Sequence, residues 1–303
     1  MKEMEKYLKW SKEPYGGEKN PPKDPVTPLA GDWPLAFLKR NKRGEFLDPE
    51  GRRLSLPILH PDRIDFGKEL KAVQHTLNNL TPEQENIGIF YGTGVPTKQW
   101  TPVIDRLIDS YGISPVYAAR ILAAVQMAIN DTMIVVWDLK YKWDTARPIQ
   151  YDHSLEPLLC TPRFPSYPSG HASMSGCAEV VLSYFFPKEA SKLKRFAEED
   201  AISRLYTGVH FPVDNDEGLK LGRSIGNSIV QHLQDQRVMD GAIDQPQETF
   251  RNADFFSAEF NQFIPYDFSA DCTSNVRSGK EFSQRRIAPD FTKSGPSKPK
   301  LFY

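Results

Sequence analysis

The chain has 303 residues, with 38 lysines and arginines against 39 aspartates and glutamates, so its formal net charge is −1. This length allows one large domain or two small ones, and the balanced charge argues against a nucleic-acid or acidic-membrane partner. A strongly positive site must therefore be local.

The three cysteines, Cys160, Cys177 and Cys272, are few and lack CxxC spacing, which argues against a disulfide framework or a zinc site and favours a reducing compartment. Residues 1–17 carry charges throughout and lack the apolar run of a secretory signal. The most apolar stretch, residues 118–139, is interrupted by an arginine, an aspartate and two amides, which predicts a buried helix rather than a membrane span. We therefore expect a soluble, cytoplasmic protein.

Residues 1–61 contain nine prolines, which predicts an irregular arm because proline removes backbone donors and fixes φ. The arm could be free or docked, and four aromatic side chains favour a docked arm: Trp10, Tyr15, Trp33 and Phe37. From residue 64 onward, apolar residues recur at steps of three and four, which indicates helix. The sequence Thr81-Pro82-Glu83-Gln84 then has the pattern of a helix N-terminus with a capping box.

A long helix is predicted to begin at Ser114-Pro115, since Val116 to Tyr141 contains neither proline nor glycine. At 1.5 Å per residue this run would be about 39 Å long. Its C-terminal end would carry Trp137 and Lys140. Asp131 lies in the same helix and is either a partner for a cation of the site or, more simply, a surface acid.

Three further helices are predicted, one from Ser169-Gly170 to before Pro187, one over residues 188–205 and one starting near Asp214. On the last helix, three glycines spaced four apart lie on one face and predict a close packing seam: Gly218, Gly222 and Gly226.

No alternating strand pattern and no repeat rises above background. We therefore predict an all-α helical bundle in a single domain over residues 1–303. It would consist of an irregular arm (1–61), a helical core carrying the site (62–240) and an irregular C-terminal segment (241–303).

Three short clusters stand out between residues 140 and 214. They are K-YKWDTA-RP, with Lys140 and Arg147, then Pro168-Ser169-Gly170-His171, and then SR-LYTGV-H-FPV-D, with Arg204, His210 and Asp214. Together they supply three cations, two histidines, a hydroxyl and a glycine amide at a helix start. A tetrahedral oxyanion requires these groups.

Each cluster alone has a simpler explanation, as solvated charges, as a turn before a helix or as a core histidine. In the functional interpretation, Gly170 lets the backbone approach an anion, and the helix start presents free N–H groups. His171 could exchange a proton with a ligand oxygen. Asp214 could orient His210 through one ring nitrogen and leave the other as a nucleophile or ligand.

In order and spacing, the three clusters resemble the signature of the superfamily that unites type 2 phosphatidic acid phosphatases, bacterial class A acid phosphatases and vanadium-dependent haloperoxidases. Every signature position is matched over residues 140–214. The resemblance implies a helical bundle of the acid phosphatase/vanadium haloperoxidase type, with vanadate, or phosphate in its place, buried between helices.

The resemblance also implies roles for the residues. The oxygen-binding groups would be Lys140, Arg147, Ser169, Gly170 and Arg204. His210 would ligate vanadium axially or attack phosphorus, His171 would be the acid–base group, and Asp214 would orient His210.

Residues outside the signature favour the peroxidase branch. Trp137 and Phe164 resemble pocket residues of fungal vanadium chloroperoxidases, and the run TPRFPSYPSGHASMSG resembles soluble bacterial haloperoxidase-like proteins. Asp144-Thr145-Ala146 departs from the aromatic-rich segment of the large haloperoxidases. We therefore expect a vanadate-dependent peroxidase that uses hydrogen peroxide and a halide.

Two alternatives remain. One is a soluble phosphatase that acts on a small phosphomonoester through a phosphohistidine at His210. The other is a non-catalytic homologue that binds an oxyanion. In each case we expect no nucleic-acid or membrane partner, while a homo-oligomer is left open.

Overall fold

The helices of the bundle follow one another along the chain with connections of three to seven residues, apart from an 18-residue connection over residues 152–169. The computed structural model describes residues 6–239, 241–254 and 272–277. Its α-helices are α1 (Phe66–Asn78), α2 (Pro82–Gly92), α3 (Trp100–Tyr111), α4 (Pro115–Trp143), α5 (Pro148–Tyr151), α6 (Gly170–Phe185), α7 (Ala190–Tyr206) and α8 (Pro212–Asp235).

Strands are minor in this part of the chain. Two antiparallel hairpins are formed by β1 (Lys39–Arg40) with β2 (Phe46–Leu47), and by β3 (Arg237–Val238) with β4 (Gly241–Ala242). The predicted all-α class is therefore confirmed. Of the irregular segment predicted over residues 241–303, residues 255–271 and 278–303 lie outside the described residues.

Local capping sets the helix boundaries at the predicted places. Thr81 Oγ1 accepts from the Gln84 backbone N–H at 3.2 Å, and the Gln84 side chain accepts from the Thr81 N–H at 3.0 Å. Gly112 ends α3 in the left-handed region, with φ of 58°. Helix α4 begins directly after Ser114 and is 29 residues long.

Helix α6 lies at the centre of the bundle and packs against α4, α7 and α8. A Cβ atom on Gly222 of α8 would lie 1.8 Å from the Ser173 carbonyl oxygen of α6, and one on Gly176 would lie 2.7 Å from the Leu219 oxygen. No side chain fits at either distance, so the two backbones approach as closely as glycine allows. The predicted seam is confirmed, and it fixes the start of α6 against α8.

Helix α4 is long and apolar enough to cross a membrane by length and composition, but 56% of its most apolar window is buried in protein. The core helix of a globular bundle passes the same test, so this is weak evidence for a span.

The N-terminal arm lies against the helices, and Asp131 of α4 holds its middle. The Asp131 carboxylate is fully buried and accepts from the backbone N–H groups of Ala36, Phe37 and Leu38 at 2.7, 2.7 and 2.8 Å. Both predicted roles of Asp131, a surface acid and a partner of a site cation, are therefore wrong. Its partners are backbone amides about 95 residues earlier in the chain.

The first part of the arm packs beside the predicted site. The Gln150 side chain donates to the Trp10 carbonyl at 2.9 Å, and the Tyr15 hydroxyl donates to the Pro162 carbonyl at 2.8 Å. Trp10 and Tyr15 are buried as expected, whereas Trp33 is 52% exposed and does not dock the arm.

Cys160 and Cys272 form a disulfide, contrary to the expectation from their number and spacing. The fold brings their Cα atoms to 5.8 Å although they are 112 residues apart, a proximity that motif spacing cannot reveal. Cys177 is free and buried. The bond ties the described segment 272–277 to the loop that leads to α6.

Replacing Cys160 and Cys272 together by serine is expected to lower the free energy of unfolding by about 2 to 4 kcal/mol, because the bond closes a long loop in the unfolded chain. Denaturant unfolding of the variant, and of wild type with and without dithiothreitol, measures this change. Reduced wild type should match the variant, and equal midpoints for all three samples would contradict the prediction.

Candidate active site

Lys140 lies at the end of α4 and is fully buried. Its Nζ donates to the carbonyl oxygens of Pro165 at 2.8 Å and Ser166 at 2.6 Å. Burial, and next the charge of Arg147, lower the pKa of Lys140 well below its ordinary value, while Asp214 acts in the opposite direction. The loop before α6 therefore anchors this cation.

Arg147 directly precedes α5 and is also fully buried. Its Nε donates to the Phe164 carbonyl at 3.0 Å, and its Nη1 donates to the Val209 carbonyl at 2.8 Å and lies 2.9 Å from His210 Nε2. Its Nη2 is buried without a hydrogen-bond partner. Burial lowers the pKa of Arg147 to about 10, so the guanidinium stays charged at neutral pH.

Arg204 lies in the last turn of α7 and is 3% exposed. Its Nε and Nη1 atoms are both buried without a partner. Burial lowers the pKa of Arg204 to about 10, the charge of Asp200 opposes this shift, and the charge of Arg147 adds to it. Two buried guanidinium groups thus keep unpaired N–H donors.

His210 is oriented by Asp214, as predicted. Its Nδ1 lies 2.8 Å from Asp214 Oδ2, which also accepts from the Ser166 hydroxyl at 2.5 Å and the Phe211 N–H at 3.1 Å. Since a carboxylate accepts and an arginine only donates, Nδ1 carries the proton and Nε2 presents its lone pair toward Arg147.

The ionisation states of this pair follow from burial. Burial, followed by the charges of Arg147 and Lys140, lowers the pKa of His210 well below its ordinary value, so the imidazole is neutral at neutral pH. Burial also raises the pKa of Asp214, against the Ser166 hydrogen bond and the Lys140 charge. A neutral, oriented imidazole is suited to act as a nucleophile or a metal ligand.

The start of α6 closes the site from a third side. The buried Ser169 caps the helix, and its backbone N–H donates to the Asp214 carbonyl at 2.9 Å. Gly170 is the first residue of α6, and a Cβ atom there would lie 3.6 Å from the Trp137 ring. The first N–H groups of a helix have no intrahelical acceptor and favour an anion.

His171 follows in the first turn of α6. Its Nε2 lies 3.2 Å from the Tyr91 carbonyl oxygen, so Nε2 carries the proton and Nδ1 has a free lone pair. Burial, and next the charge of Arg204, lower the pKa of His171 well below its ordinary value.

Trp137 and Phe164 form an aromatic wall, with ring centroids 5.0 Å apart. The Phe164 centroid lies 4.8 Å from the Arg147 guanidinium carbon and 5.3 Å from Lys140 Nζ. Neither side chain of the wall is titratable, and the Phe164 ring faces Lys140 and Arg147.

Hydrogen bonds join Arg147 to His210, His210 to Asp214 and Asp214 to Ser169, whereas no such bond joins Arg204 or His171 to the other predicted residues within the described part of the chain, and two groups were missed. The Ser166 hydroxyl supports Asp214, and the Tyr91 carbonyl sets the His171 tautomer. Ser166 stands in the run TPRFPSYPSG three residues before Ser169, so proximity to the cluster is the signal that could have found it. A backbone carbonyl such as that of Tyr91 leaves no signal in a sequence.

The arrangement fits a tetrahedral oxyanion such as vanadate or phosphate. The buried side chains of Lys140, Arg147 and Arg204 all act on His210 through their charges, and three nitrogen atoms of the two arginines have no protein acceptor. Buried donors are nearly always paired in proteins, and charged oxygens are their strongest acceptors.

Comparison with known proteins agrees with this arrangement. Residues 118–237 match the model of the PAP2 superfamily. A crystal structure of a bacterial vanadium-dependent iodoperoxidase matches with a TM-score of 0.59 and 25% identity, over 75% of this chain and 62% of that chain. No curated protein sequence matches.

Two further crystal structures, holo and apo forms of a bacterial vanadium-dependent chloroperoxidase, match with TM-scores of 0.50 and 0.52 at 16% identity. They cover 72% and 74% of this chain and 58% and 60% of theirs, and they show a shared fold. The chain thus spans about three-fifths of the length of these enzymes. The match over residues 118–237 and the structural similarity support membership of this part of the chain in the superfamily of PAP2 proteins and vanadium haloperoxidases.

Proposed function

We propose that the protein is a vanadate-dependent peroxidase of the haloperoxidase type, which oxidises a halide with hydrogen peroxide. The observation that carries the proposal is the set of unpaired, buried N–H groups of Arg147 and Arg204 beside the oriented His210. The similarity to a bacterial vanadium-dependent iodoperoxidase supports the peroxidase branch.

The oxygen atoms of vanadate would be bound by Lys140, Arg147, Ser169, the Gly170 N–H and Arg204. His210 Nε2 would be the protein ligand of the metal, and the Asp214 carboxylate would hold the ring in the required tautomer. Bound vanadate would supply a Lewis-acidic centre that activates hydrogen peroxide.

His171 is suited to move protons in this site. Because its Nε2 donates to the Tyr91 carbonyl, Nδ1 can accept a proton from hydrogen peroxide and return it to a leaving oxygen. Its lowered pKa keeps the ring neutral, so the basic form persists in mildly acidic solution.

A second candidate function is hydrolysis of a small phosphomonoester, because the same lone pair of His210 Nε2 is a nucleophile. It would attack phosphorus and form a P–N bond while the ester P–O bond breaks, and the leaving alkoxide would need a proton from His171, which the lowered pKa of that residue disfavours. Water would then hydrolyse the phosphohistidine. The aromatic wall of Trp137 and Phe164 favours the peroxidase, since it offers a halide an aromatic surface without titratable groups. A non-catalytic oxyanion-binding protein would have no use for this acid–base set.

We infer an oxidising compartment rather than the cytoplasm, because Cys160 and Cys272 form a disulfide and such bonds persist mainly outside reducing compartments. The partners would be hydrogen peroxide and a halide, with no nucleic acid and no membrane.

One assay separates the two functions. The full chain is given vanadate, hydrogen peroxide and iodide or bromide with a halogen-trapping dye, and in parallel an aryl phosphate without vanadate. Halogenation that needs vanadate is expected. His210→Ala should abolish it through loss of the ligand, whereas His232→Ala, which changes a histidine outside the site, should retain it. Phosphate-ester turnover without halogenation would refute the peroxidase proposal.

Phe164→His is expected to change the ratio of bromide to iodide oxidation, because a ring nitrogen would stand beside Arg147 in place of an apolar ring. Vanadate affinity, measured by titration, should change little, since the cations stay in place. Phe164→Leu keeps the wall apolar and is the matched control. An unchanged halide ratio in Phe164→His would show that this wall does not contact the halide.

Ser166→Ala is expected to lower turnover about 10- to 100-fold, the usual effect of removing a group that orients a metal ligand. The change deletes the hydroxyl that donates to Asp214 at 2.5 Å. Steady-state kinetics measures it, and Thr132→Ala serves as the control because that buried hydroxyl bonds to the Ala128 carbonyl and the Cys177 thiol rather than to Asp214. Equal turnover in both variants would contradict the role given to Ser166.

A further inference from the structure

A second buried carboxyl group, Asp200, lies outside the signature on α7, one turn before Arg204. It is fully buried, and its Oδ2 accepts from the Ser175 hydroxyl at 2.5 Å. The Ser175 hydroxyl in turn accepts from Trp100 Nε1 at 2.8 Å. The other oxygen of Asp200, Oδ1, is buried without a hydrogen-bond partner.

The charged and titratable groups near Asp200 lie on two helices. On α7 these are Arg204 and Glu199, while α2 contributes the neutral but titratable Tyr91 phenol, which donates to Glu199 at 3.0 Å. The contacts from α6 and α3, Ser175 and Trp100, are neutral. Arg204 is therefore the cation that opposes the negative charge of Asp200.

Asp200 acts on Arg204 through its charge rather than through contact. Among the described residues, no hydrogen bond and no ion pair within 4.0 Å joins the two side chains, and Arg204 Nε and Nη1 remain unpaired. Both groups are buried, so the field between them is weakly screened. The hydrogen bond from the Ser175 hydroxyl fixes the position of the Asp200 carboxyl group, one helical turn before Arg204.

We propose that Asp200 is a positioning residue that acts through Arg204, balancing its charge before an oxyanion binds and taking up a proton when one does. The proposal rests on the oxyanion site of the proposed function, and it holds for a peroxidase and for a phosphatase alike.

The direction of the effect follows from the charges. An anion beside Arg204 repels an ionised carboxylate, so binding favours the protonated form of Asp200. Burial already raises the pKa of Asp200 to about 7, against the Ser175 hydrogen bond and the Arg204 charge. Affinity for an oxyanion should therefore fall as the pH rises through this range, since the proton must then be taken from solution.

The test uses tungstate, a tetrahedral dianion whose charge does not change near neutral pH, and calorimetric titration of the full chain. Wild type is expected to lose affinity about tenfold between about pH 6 and about pH 8.5. Asp200→Asn should show little of this dependence and should bind about tenfold more tightly than wild type at the upper pH.

A matched control is Glu189→Gln, since Glu189 is a fully buried acid at the start of α7 that bonds Tyr111 and the Ala253 N–H, away from the site. The tungstate affinity of Glu189→Gln should change with pH as that of wild type does. Ser175→Ala removes the hydrogen bond that favours the ionised form of Asp200, so the fall in affinity should move to higher pH. This variant keeps the test decisive if Asp200→Asn does not fold.

The inference would be overturned, and the oxyanion site left intact, if Asp200→Asn and Ser175→Ala both bound tungstate with the pH dependence of wild type. If Asp200→Asn does not fold, the same result for Ser175→Ala alone would overturn it. Failure of wild type to bind tungstate at any pH would overturn the site and the inference together. Tungstate binding with the expected pH dependence, in a protein that shows no peroxidase activity, would support the inference and refute only the choice of reaction.

Discussion

The burial of three cations around one histidine is the constraint on which the rest of this structure depends. Lys140, Arg147 and Arg204 are at most 3% exposed, and removing a charge from water is costly unless polar partners replace the solvent. Backbone carbonyls of the loops before α6 and α8 supply part of that replacement. In the proposed function the remaining donors would select the ligand, because a compact anion with several oxygens can satisfy them together.

The helices matter to this site mainly through their ends. The end of α4 carries Lys140, the end of α7 carries Arg204, and the starts of α6 and α8 bring Ser169 and Asp214 together through a backbone hydrogen bond. The glycine contact between α6 and α8 holds the two starts in register. Loops alone would not hold these charged side chains in fixed positions. The rigid part of the site therefore consists of the helix termini.

The parts of this structure that local patterns encode were predictable, and the parts that depend on distant contacts were not. Capping residues marked α2 and α4, and the order of charged clusters predicted the candidate site residues between Lys140 and Asp214. The buried role of Asp131 depends on amides about 95 residues away, and the Cys160–Cys272 bond spans 112 residues. Ser166 acts by its hydroxyl on Asp214, 48 residues later. Such contacts are set by tertiary packing, which leaves no periodic trace in a single sequence.

The carboxylate of Asp131 also bears on where the folding unit begins. Its three amide donors, on Ala36, Phe37 and Leu38, belong to a segment that precedes every α-helix. A fragment starting at α1 would leave a buried carboxylate in the middle of α4 without its three backbone donors and with only the Asn130 amide as partner, which is a strongly destabilising change. We therefore expect the arm and the bundle to unfold together, and we expect an autonomous fragment to need the arm from before residue 36.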